Sequence, residues 1–214
     1  MKYSTLAITS AALAFSGATA HGANFDFEDQ IATSIGGIRT GAWTSLSMTN
    51  DGIGLTIYRT SGAAFDIFPN DAFGTDPDDN PPPSWGDNSW DPFWDVGQPD
   101  DVIVLNFSSL VTGFSIDVGD FGADDDFITI NGFSGLDGTG ALVDSAADVL
   151  AVSTVNWTGT TMSMTGEFRS ITIESGPDFR NSIFLDNIRV TKVPAPSALA
   201  MIGLGALTAG RRRR

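Results

Sequence analysis

The sequence predicts an all-β fold, an antiparallel β-sandwich or jelly roll, from three observations. Short apolar runs alternate with polar residues at a period of two, which is typical of half-buried strands. Turn-forming residues separate these runs. No long stretch has the spacing of an amphipathic helix. Roughly ten short strands with turns between them indicate a sandwich or jelly roll.

The alternation is clearest at residues 53–57, 114–118 and 171–173, and each of these predicts a strand with one buried face. Residues 102–105 are continuously apolar, which predicts a central strand. Turns are predicted at Asn50-Asp51-Gly52, Asn131-Gly132 and Asp137-Gly138, because these residue types tolerate the backbone angles of tight turns.

Residues 69–101 depart from this pattern of short strands and turns. They are rich in proline, aspartate and tryptophan and show no periodic apolar pattern. A segment of this length without a pattern is uncommon in a compact domain unless it serves a function. We expect a single long excursion from the sandwich.

The first 20 residues have the pattern of a secretory signal peptide. Lys2 provides the positive start, residues 6–15 are apolar or small, and residues 18–20 form an Ala-x-Ala cleavage site. The remaining chain divides into a domain at residues 21–192, long enough for one hydrophobic core, and a tail at residues 193–214.

Charge and composition exclude several classes of function. The chain carries a net charge of −15, and residues 21–192 hold all 26 acidic but only six basic residues, giving −20. Such a surface disfavours nucleic acids and anionic membranes, which both need cationic patches. With no cysteine and a single histidine, His21, neither a Ser-His-Asp triad nor a cysteine or histidine zinc site is expected.

The tail combines three features in order. Pro194 and Pro196, directly after Val193, make a stiff extended tether. The apolar run at residues 198–210 would form a helix of about 20 Å, short against about 30 Å of hydrocarbon. The basic end, Arg211, Arg212, Arg213 and Arg214, marks a cytoplasmic face. We therefore predict a short hydrophobic helix that resides only transiently in the membrane.

This order of elements resembles a PEP-CTERM sorting signal, with Ala195 where the usual pattern has glutamate between the prolines. The resemblance implies export by a Gram-negative bacterium, passage through the inner membrane, and cleavage near the prolines by an exosortase-type enzyme. The final location would be the cell surface or the extracellular space.

The domain has a resemblance of its own. Residues 106–108, 114–124, 133–140 and 182–190 are similar to a β-sandwich domain common in exported PEP-CTERM proteins, and more broadly to galactose-binding-like jelly rolls. This resemblance implies a lectin-like scaffold.

A calcium site is the candidate metal centre. Alternation in the last strand places Phe184, Asp186, Ile188 and Val190 on one face, which would bury the Asp186 carboxylate. Asp186 is then either a calcium ligand or a structural acid satisfied by backbone N–H groups, by an arginine such as Arg169, or by its position at a strand end. In a jelly roll the N-terminal segment often pairs beside the last strand. Clustered carboxylates suit calcium, and the further candidate ligands are Asp26, Glu28, Asp120, Asp124 and Asp126.

Trp85, Trp90 and Trp94 are candidates for stacking against a sugar ring, because tryptophan offers a flat apolar face with one donor. The alternative is that these rings fold back over the sandwich as a lid.

These observations favour a non-catalytic binding or structural module that is exported and associates with exopolysaccharide. The alternative is a glycan hydrolase or lyase that uses a pair of carboxylates. The sequence singles out no catalytic residue.

Overall fold

The computed structural model describes residues 22–34, 39–71, 80–92, 101–120, 125–151, 157–176 and 182–193. The chain divides into a compact unit at His21–Val193 and a second unit made of Met1–Ala20 and Pro194–Arg214. The predicted signal peptide, His21 and the tail from Pro194 onward lie outside the described residues.

Ten strands and one turn of 3₁₀ helix, Pro83–Trp85, make up the regular structure of the described residues. All pairings between the described strands are antiparallel, so the predicted all-β antiparallel fold is confirmed, while the jelly-roll subclass stays a prediction. The strands are β1 (Gly22–Phe25), β2 (Ser45–Asn50), β3 (Ile53–Arg59), β4 (Asp66–Pro69), β5 (Asn88–Asp91), β6 (Ile103–Asp120), β7 (Asp126–Phe133), β8 (Leu142–Leu150), β9 (Thr158–Ser175) and β10 (Phe184–Lys192). Within these described ranges, no helix is long and apolar enough to cross a membrane.

The strands form one hydrogen-bonded network. Its main path runs β4-β5-β10-β6-β9-β7-β8, while β1 pairs with β10, β3 pairs with β6, and β2 pairs with β3. The continuous apolar run predicted as a central strand lies at the start of β6, where β3 and β9 flank it on either side. That prediction is confirmed.

The two longest strands, β6 and β9, hold the fold together over one core. The pairing register of β6 shifts between Asn106 and Val111 and again before Phe114. The rings of Phe107 and Phe114 have centroids only 6.5 Å apart, although seven residues of straight strand would span about 23 Å. The strand therefore bends at the irregularity, and both of its halves contribute to the same core.

The alternation seen in the sequence is confirmed in this core. In β3, Ile53, Leu55 and Ile57 are buried while the residues between them are only partly covered. The turn before β3 is formed by Asp51 and Gly52, both at positive φ, as predicted. Side chains from nearly every strand complete the core: Phe25, Leu46, Phe65, Ile67, Trp90, Leu105, Phe107, Phe114, Ile116, Ile130, Phe168, Ile171, Ile173, Ile188 and Val190.

Two predictions about local structure are wrong. Asn131-Gly132 is not a turn but part of β7, where the ring of Phe168 occupies the space that a side chain at Gly132 would fill. The supposed excursion at residues 69–101 contains strand β5, because Trp90 is fully buried in the core and pairs with Leu185.

The face assigned to the last strand is only partly correct, because Ile188 and Val190 enter the main core as predicted but Phe184 does not. The register of β10 shifts between Asp186 and Arg189, and Asn187 has a φ of 48°. Leu185 and Ile188 therefore both enter the main core, although they are three residues apart. Phe184 instead belongs to a second apolar cluster with Phe68 and Trp85, against which Trp157 packs.

Candidate functional site

Asp186 is buried as the sequence predicts, with no exposed surface. Its Oδ1 accepts a hydrogen bond from the backbone N–H of Asn187 at 2.6 Å, and its Oδ2 accepts one from Asn187 Nδ2 at 3.2 Å. Among the alternatives that the sequence left open, the described contacts are those of an acid satisfied by a backbone N–H. Arg169 is not its partner.

Burial raises the pKa of Asp186 to about 9. The backbone N–H of Asn187 opposes this rise, and the negative charges of Glu28, Asp117 and Asp26 add to it. Since a carboxyl with this pKa holds its proton at neutral pH, Asp186 is a neutral hydrogen-bonding group under those conditions.

Asp117 lies directly opposite Asp186 on the neighbouring strand β6. Its two carboxylate oxygens accept hydrogen bonds from Arg189 at 3.2 and 3.0 Å, and Oδ1 also accepts one from the Thr161 hydroxyl at 2.7 Å. The guanidinium thus balances one acid of the pair, while Asp186 has no arginine within the described contacts.

The N-terminal segment lies where the sequence places it. Strand β1 pairs antiparallel with β10, with Phe25 opposite Ile188. Asn24 Nδ2 lies 3.3 Å from Asp26 Oδ2 and 3.5 Å from Asn187 Oδ1, so this pairing brings Asp26 to the end of β10 that carries Asp186. The predicted approach of the first acidic group to the last strand is therefore found.

Glu28 has a partner of a different kind. Its carboxylate accepts hydrogen bonds from the backbone N–H groups of Asp87 and Asn88 at 3.0 to 3.1 Å. It also lies against Gly86, whose φ of 68° disfavours any residue with a side chain. Glu28 thus fastens the loop before β5 onto the N-terminal segment.

The other predicted ligands lie elsewhere in the fold. Asp120 ends β6, Asp126 begins β7, and both are buried, whereas Asp124 lies outside the described residues. Within the part of the chain that the structure describes, no three acidic or histidine side chains are grouped closely enough to hold a metal ion. Calcium at any of these positions stays a prediction.

Two of the three stacking candidates are not available to a sugar. Trp90 is fully buried against Phe65, with ring centroids 5.1 Å apart, and Trp85 is 4% exposed against Trp157, also at 5.1 Å. A sugar can stack only on an accessible ring face, so neither ring is available for stacking. Trp90 is a core residue of strand β5 and not part of a lid, whereas Trp85 packs in the second apolar cluster. Trp94 lies outside the described residues.

A polar network that the sequence did not single out lies on the outer face of the sheet. Asp137 Oδ1 accepts hydrogen bonds from the Tyr58 hydroxyl at 2.7 Å and from Asn106 Nδ2 at 2.5 Å. The backbone N–H of Asp137 donates back to Asn106 Oδ1 at 2.8 Å. These contacts fix the turn at residues 134–141 above strands β3 and β6, with Asp137 held at a φ of 57°.

The same network shifts two pKa values in opposite directions. Burial and the neighbouring Asp137 raise the pKa of Tyr58 to about 12. The hydrogen bond from Tyr58, followed by the one from Asn106, lowers the pKa of Asp137 below its usual range. The network therefore keeps a protonated phenol beside an ionised carboxylate over the physiological range.

A groove runs along this outer face beside the network. Polar side chains from four strands line it, with Leu136 and Met48 adding apolar surface. Ser47 and Thr56 share a hydrogen bond of 3.0 Å across β2 and β3. The other polar lining residues are Thr49, Asn106, Ser108 and Arg169.

The sequence did contain a signal for this groove. Thr56 and Tyr58 alternate with the buried residues of β3, and Asn106 and Ser108 alternate with those of β6, so each pair belongs to an outer face. What the sequence could not supply was the pairing of β3 beside β6, which brings the two pairs together.

Residues 192–214 match the family model described as the PEP-CTERM protein-sorting motif. The match covers the predicted sorting residues, of which Pro194, Pro196, Arg211, Arg212, Arg213 and Arg214 lie outside the described structure. No curated protein matches the chain. The motif indicates a protein that is exported and sorted at the membrane toward the cell surface, and recognition of this motif by an exosortase is consistent with the predicted processing partner.

Proposed function

From the premise that the chain carries a PEP-CTERM sorting motif, we propose that it is a non-catalytic glycan-binding module. It is exported by a Gram-negative cell, processed by an exosortase-type enzyme, and held at the surface or in the matrix through association with exopolysaccharide. The sorting motif supports delivery, and the outer groove supports the binding role.

The observation that carries the binding role is the composition of the groove. Hydroxyl, amide and guanidinium groups from β2, β3, β6 and β9 line it together with Leu136, which is 42% exposed, and Met48. Sugars present ring hydroxyls beside small apolar faces, so a site with both kinds of surface suits a saccharide. The side chains are carried by paired strands, which hold them more rigidly than a free loop would.

The alternative, a glycan hydrolase or lyase, is favoured by the pair Asp117 and Asp186. One acid is ion-paired and the other has a strongly raised pKa, which is the asymmetry that an acid and base pair uses. Both residues are buried, however, at 6% and 0% exposure. A glycosidic bond has to reach both carboxyls, and for that reason we place binding ahead of catalysis.

Fractionation of the cells that produce the protein tests this function. We expect an antibody to find the chain in the surface and matrix fractions, and enzymatic digestion of the exopolysaccharide to release it. A matched variant with Arg211 to Arg214 replaced by glutamine keeps the domain and removes the basic end of the motif. This variant should accumulate unprocessed in the cell.

Two results would count against the proposal. Retention of the native chain in the inner membrane would contradict delivery to the surface. A surface protein whose attachment is unchanged by complete removal of the polysaccharide would contradict association with glycan, while leaving delivery intact.

A further inference from the structure

Arg169 differs from the other described arginines. Arg39 pairs with Asp91, Arg59 with Asp101 and Arg189 with Asp117. Arg169 has no carboxylate within 4.0 Å and no hydrogen-bond partner in the described chain, although the domain holds 26 acidic residues. It is half-buried in β9 and contributes to the lining of the outer groove.

Among the described residues, no acidic side chain lines the groove itself, and the carboxylate of Asp137 beside it is engaged by Tyr58 and Asn106. The polar pocket beside β5, in contrast, contains both Asp71 and Asp87. At physiological ionic strength, charges farther away than about 8 Å are strongly screened. The local lining therefore matters more to a bound ligand than the net charge of the whole domain.

The remaining polar groups add donors. Ser108 Oγ accepts the backbone N–H of Gly54 at 2.7 Å, which leaves its own proton free to donate toward a ligand. The Asn106 side chain is already engaged on both of its atoms by Asp137. The guanidinium only donates and is positively charged, so it calls for a ligand group that accepts and is negatively charged, and an ionised carboxylate is such a group.

We infer that the outer groove binds a carboxylate-bearing sugar, such as a uronic acid residue of an exopolysaccharide, with Arg169 as the group that recognises the carboxylate. The planar guanidinium donates two parallel hydrogen bonds to the two carboxylate oxygens. Ser108 donates to a ring or hydroxyl oxygen, and Leu136 and Met48 cover the apolar face of the sugar. This inference rests on the proposed glycan-binding function and names the ligand class.

Two alternatives weigh less on the same observations. A neutral glycan would give the unpaired charge no counterpart. A long cationic polymer would be repelled by the positive charge of Arg169 in the groove. It would bind instead to the acidic surface elsewhere on the domain.

Titration calorimetry with the full-length protein in mild detergent tests the inference. The probes are a tetramer of galacturonic acid and the same tetramer with its carboxyl groups reduced to alcohols. We expect the acidic tetramer to bind at least about tenfold more tightly, since hydrogen bonds to a charged group carry that much discrimination.

Three variants separate the causes. Arg169→Gln removes the charge and should abolish the preference for the acidic tetramer. Arg169→Lys keeps the charge without the planar fork and should retain only part of the preference. Lys192→Gln removes the same charge from a partly exposed position outside the groove, where the ammonium donates to the Gly52 carbonyl, and should leave the preference unchanged.

The outcomes separate this inference from the function on which it rests. Equal binding of both tetramers, with Arg169→Gln unchanged, would overturn the inference and leave glycan binding in place. Binding of neither tetramer, together with no binding of the native exopolysaccharide, would overturn both. An equal loss of preference in Arg169→Gln and Lys192→Gln would mean that the preference for the acidic tetramer depends only on the net charge of the protein. That result would overturn the role of the groove.

Discussion

Asp186 and Asp117 lie directly opposite each other on neighbouring antiparallel strands, with side chains that are 0% and 6% exposed. Two like charges in this arrangement would repel each other strongly. Asp117 is held by Arg189, while burial raises the pKa of Asp186 to about 9, so that Asp186 keeps its proton at neutral pH and adds no second charge. The fold tolerates the pair because one member keeps its proton.

This arrangement predicts that Asp186→Asn stabilises the protein at alkaline pH. The stability due to the raised pKa is fully present below the unfolded value of 3.8 and is lost as pH rises through about 9. The asparagine variant has no such loss. At pH 8 we expect the variant to unfold about 4 °C or more above the native protein, and at pH 4 we expect equal thermal midpoints.

Asp29→Asn is the matched control, because it removes an exposed acid from the same N-terminal group. It should leave the difference between pH 4 and pH 8 unchanged. A fall in the midpoint of Asp186→Asn at pH 8 would mean that the carboxylate is needed in its ionised form.

Calcium provides a second test of the same residue, since a metal ion and a proton compete for Asp186. From the raised pKa and the described contacts, we expect excess calcium to change the thermal midpoint by less than about 1 °C relative to chelator. A site filled at about 100 times its dissociation constant would add about 2.7 kcal/mol and raise the midpoint by roughly 5 °C or more. A shift of that size that disappears in Asp186→Asn would show that Asp186 is a calcium ligand.

The buried ion pair of Arg59 and Asp101 is expected to be a principal determinant of stability. Arg59 is 2% exposed and also donates to the carbonyls of Ala64 and Pro92. Arg59→Ala leaves Asp101 buried without this partner and should lower the free energy of unfolding by about 3 to 5 kcal/mol in urea denaturation.

The double variant Arg59→Ala, Asp101→Asn should recover part of this loss, because the charge left behind is then removed as well. Additive losses in the two single variants would argue that the ion pair itself contributes little.

Tyr58 offers a spectroscopic test of the outer-face network. The only other tyrosine, Tyr3, lies in the predicted signal peptide. Absorbance titration should show Tyr58 ionising near pH 12, against an ordinary value of 10.0. The stabilisation linked to this pKa is present below pH 10 and lost as pH rises through about 12, so the loss should be absent in Tyr58→Phe. A midpoint near 10 in the folded protein would contradict both the burial of the phenol and its hydrogen bond to Asp137.

The sequence predicted those elements that depend on local pattern. The alternation at residues 53–57 fixes the buried face of β3, and Asp51-Gly52 forms the turn before it. The pattern failed where a distant side chain decides the outcome. Gly132 lies within a strand because Phe168 needs the space beside it, and Asn187 at positive φ reverses the face of β10 after Asp186.

The candidate site was harder to predict for the same reason. Asp186 could be identified as a buried acid from its neighbours in the chain, but its opposition to Asp117 depends on the pairing of β10 with β6. The sequence could not predict that Arg169 lacks an acidic partner, since this depends on where every acidic side chain lies in the fold. The prediction that the tryptophans stack against a sugar failed because the number of tryptophans in a segment does not determine whether their rings are exposed. Trp90, for example, is fully buried.

The measurement that tests the central claim most directly is equilibrium binding of the full-length protein to exopolysaccharide isolated from the cells that produce it. We predict saturable binding that weakens at least about tenfold in Thr49→Trp, because the exposed residue Thr49 lines the groove and an indole there would fill it. The matched variant Thr44→Trp places the same ring at an exposed residue outside the groove lining and should bind normally. No saturable binding, or equal binding by the native protein and Thr49→Trp, would contradict the assignment of the outer groove as a glycan site.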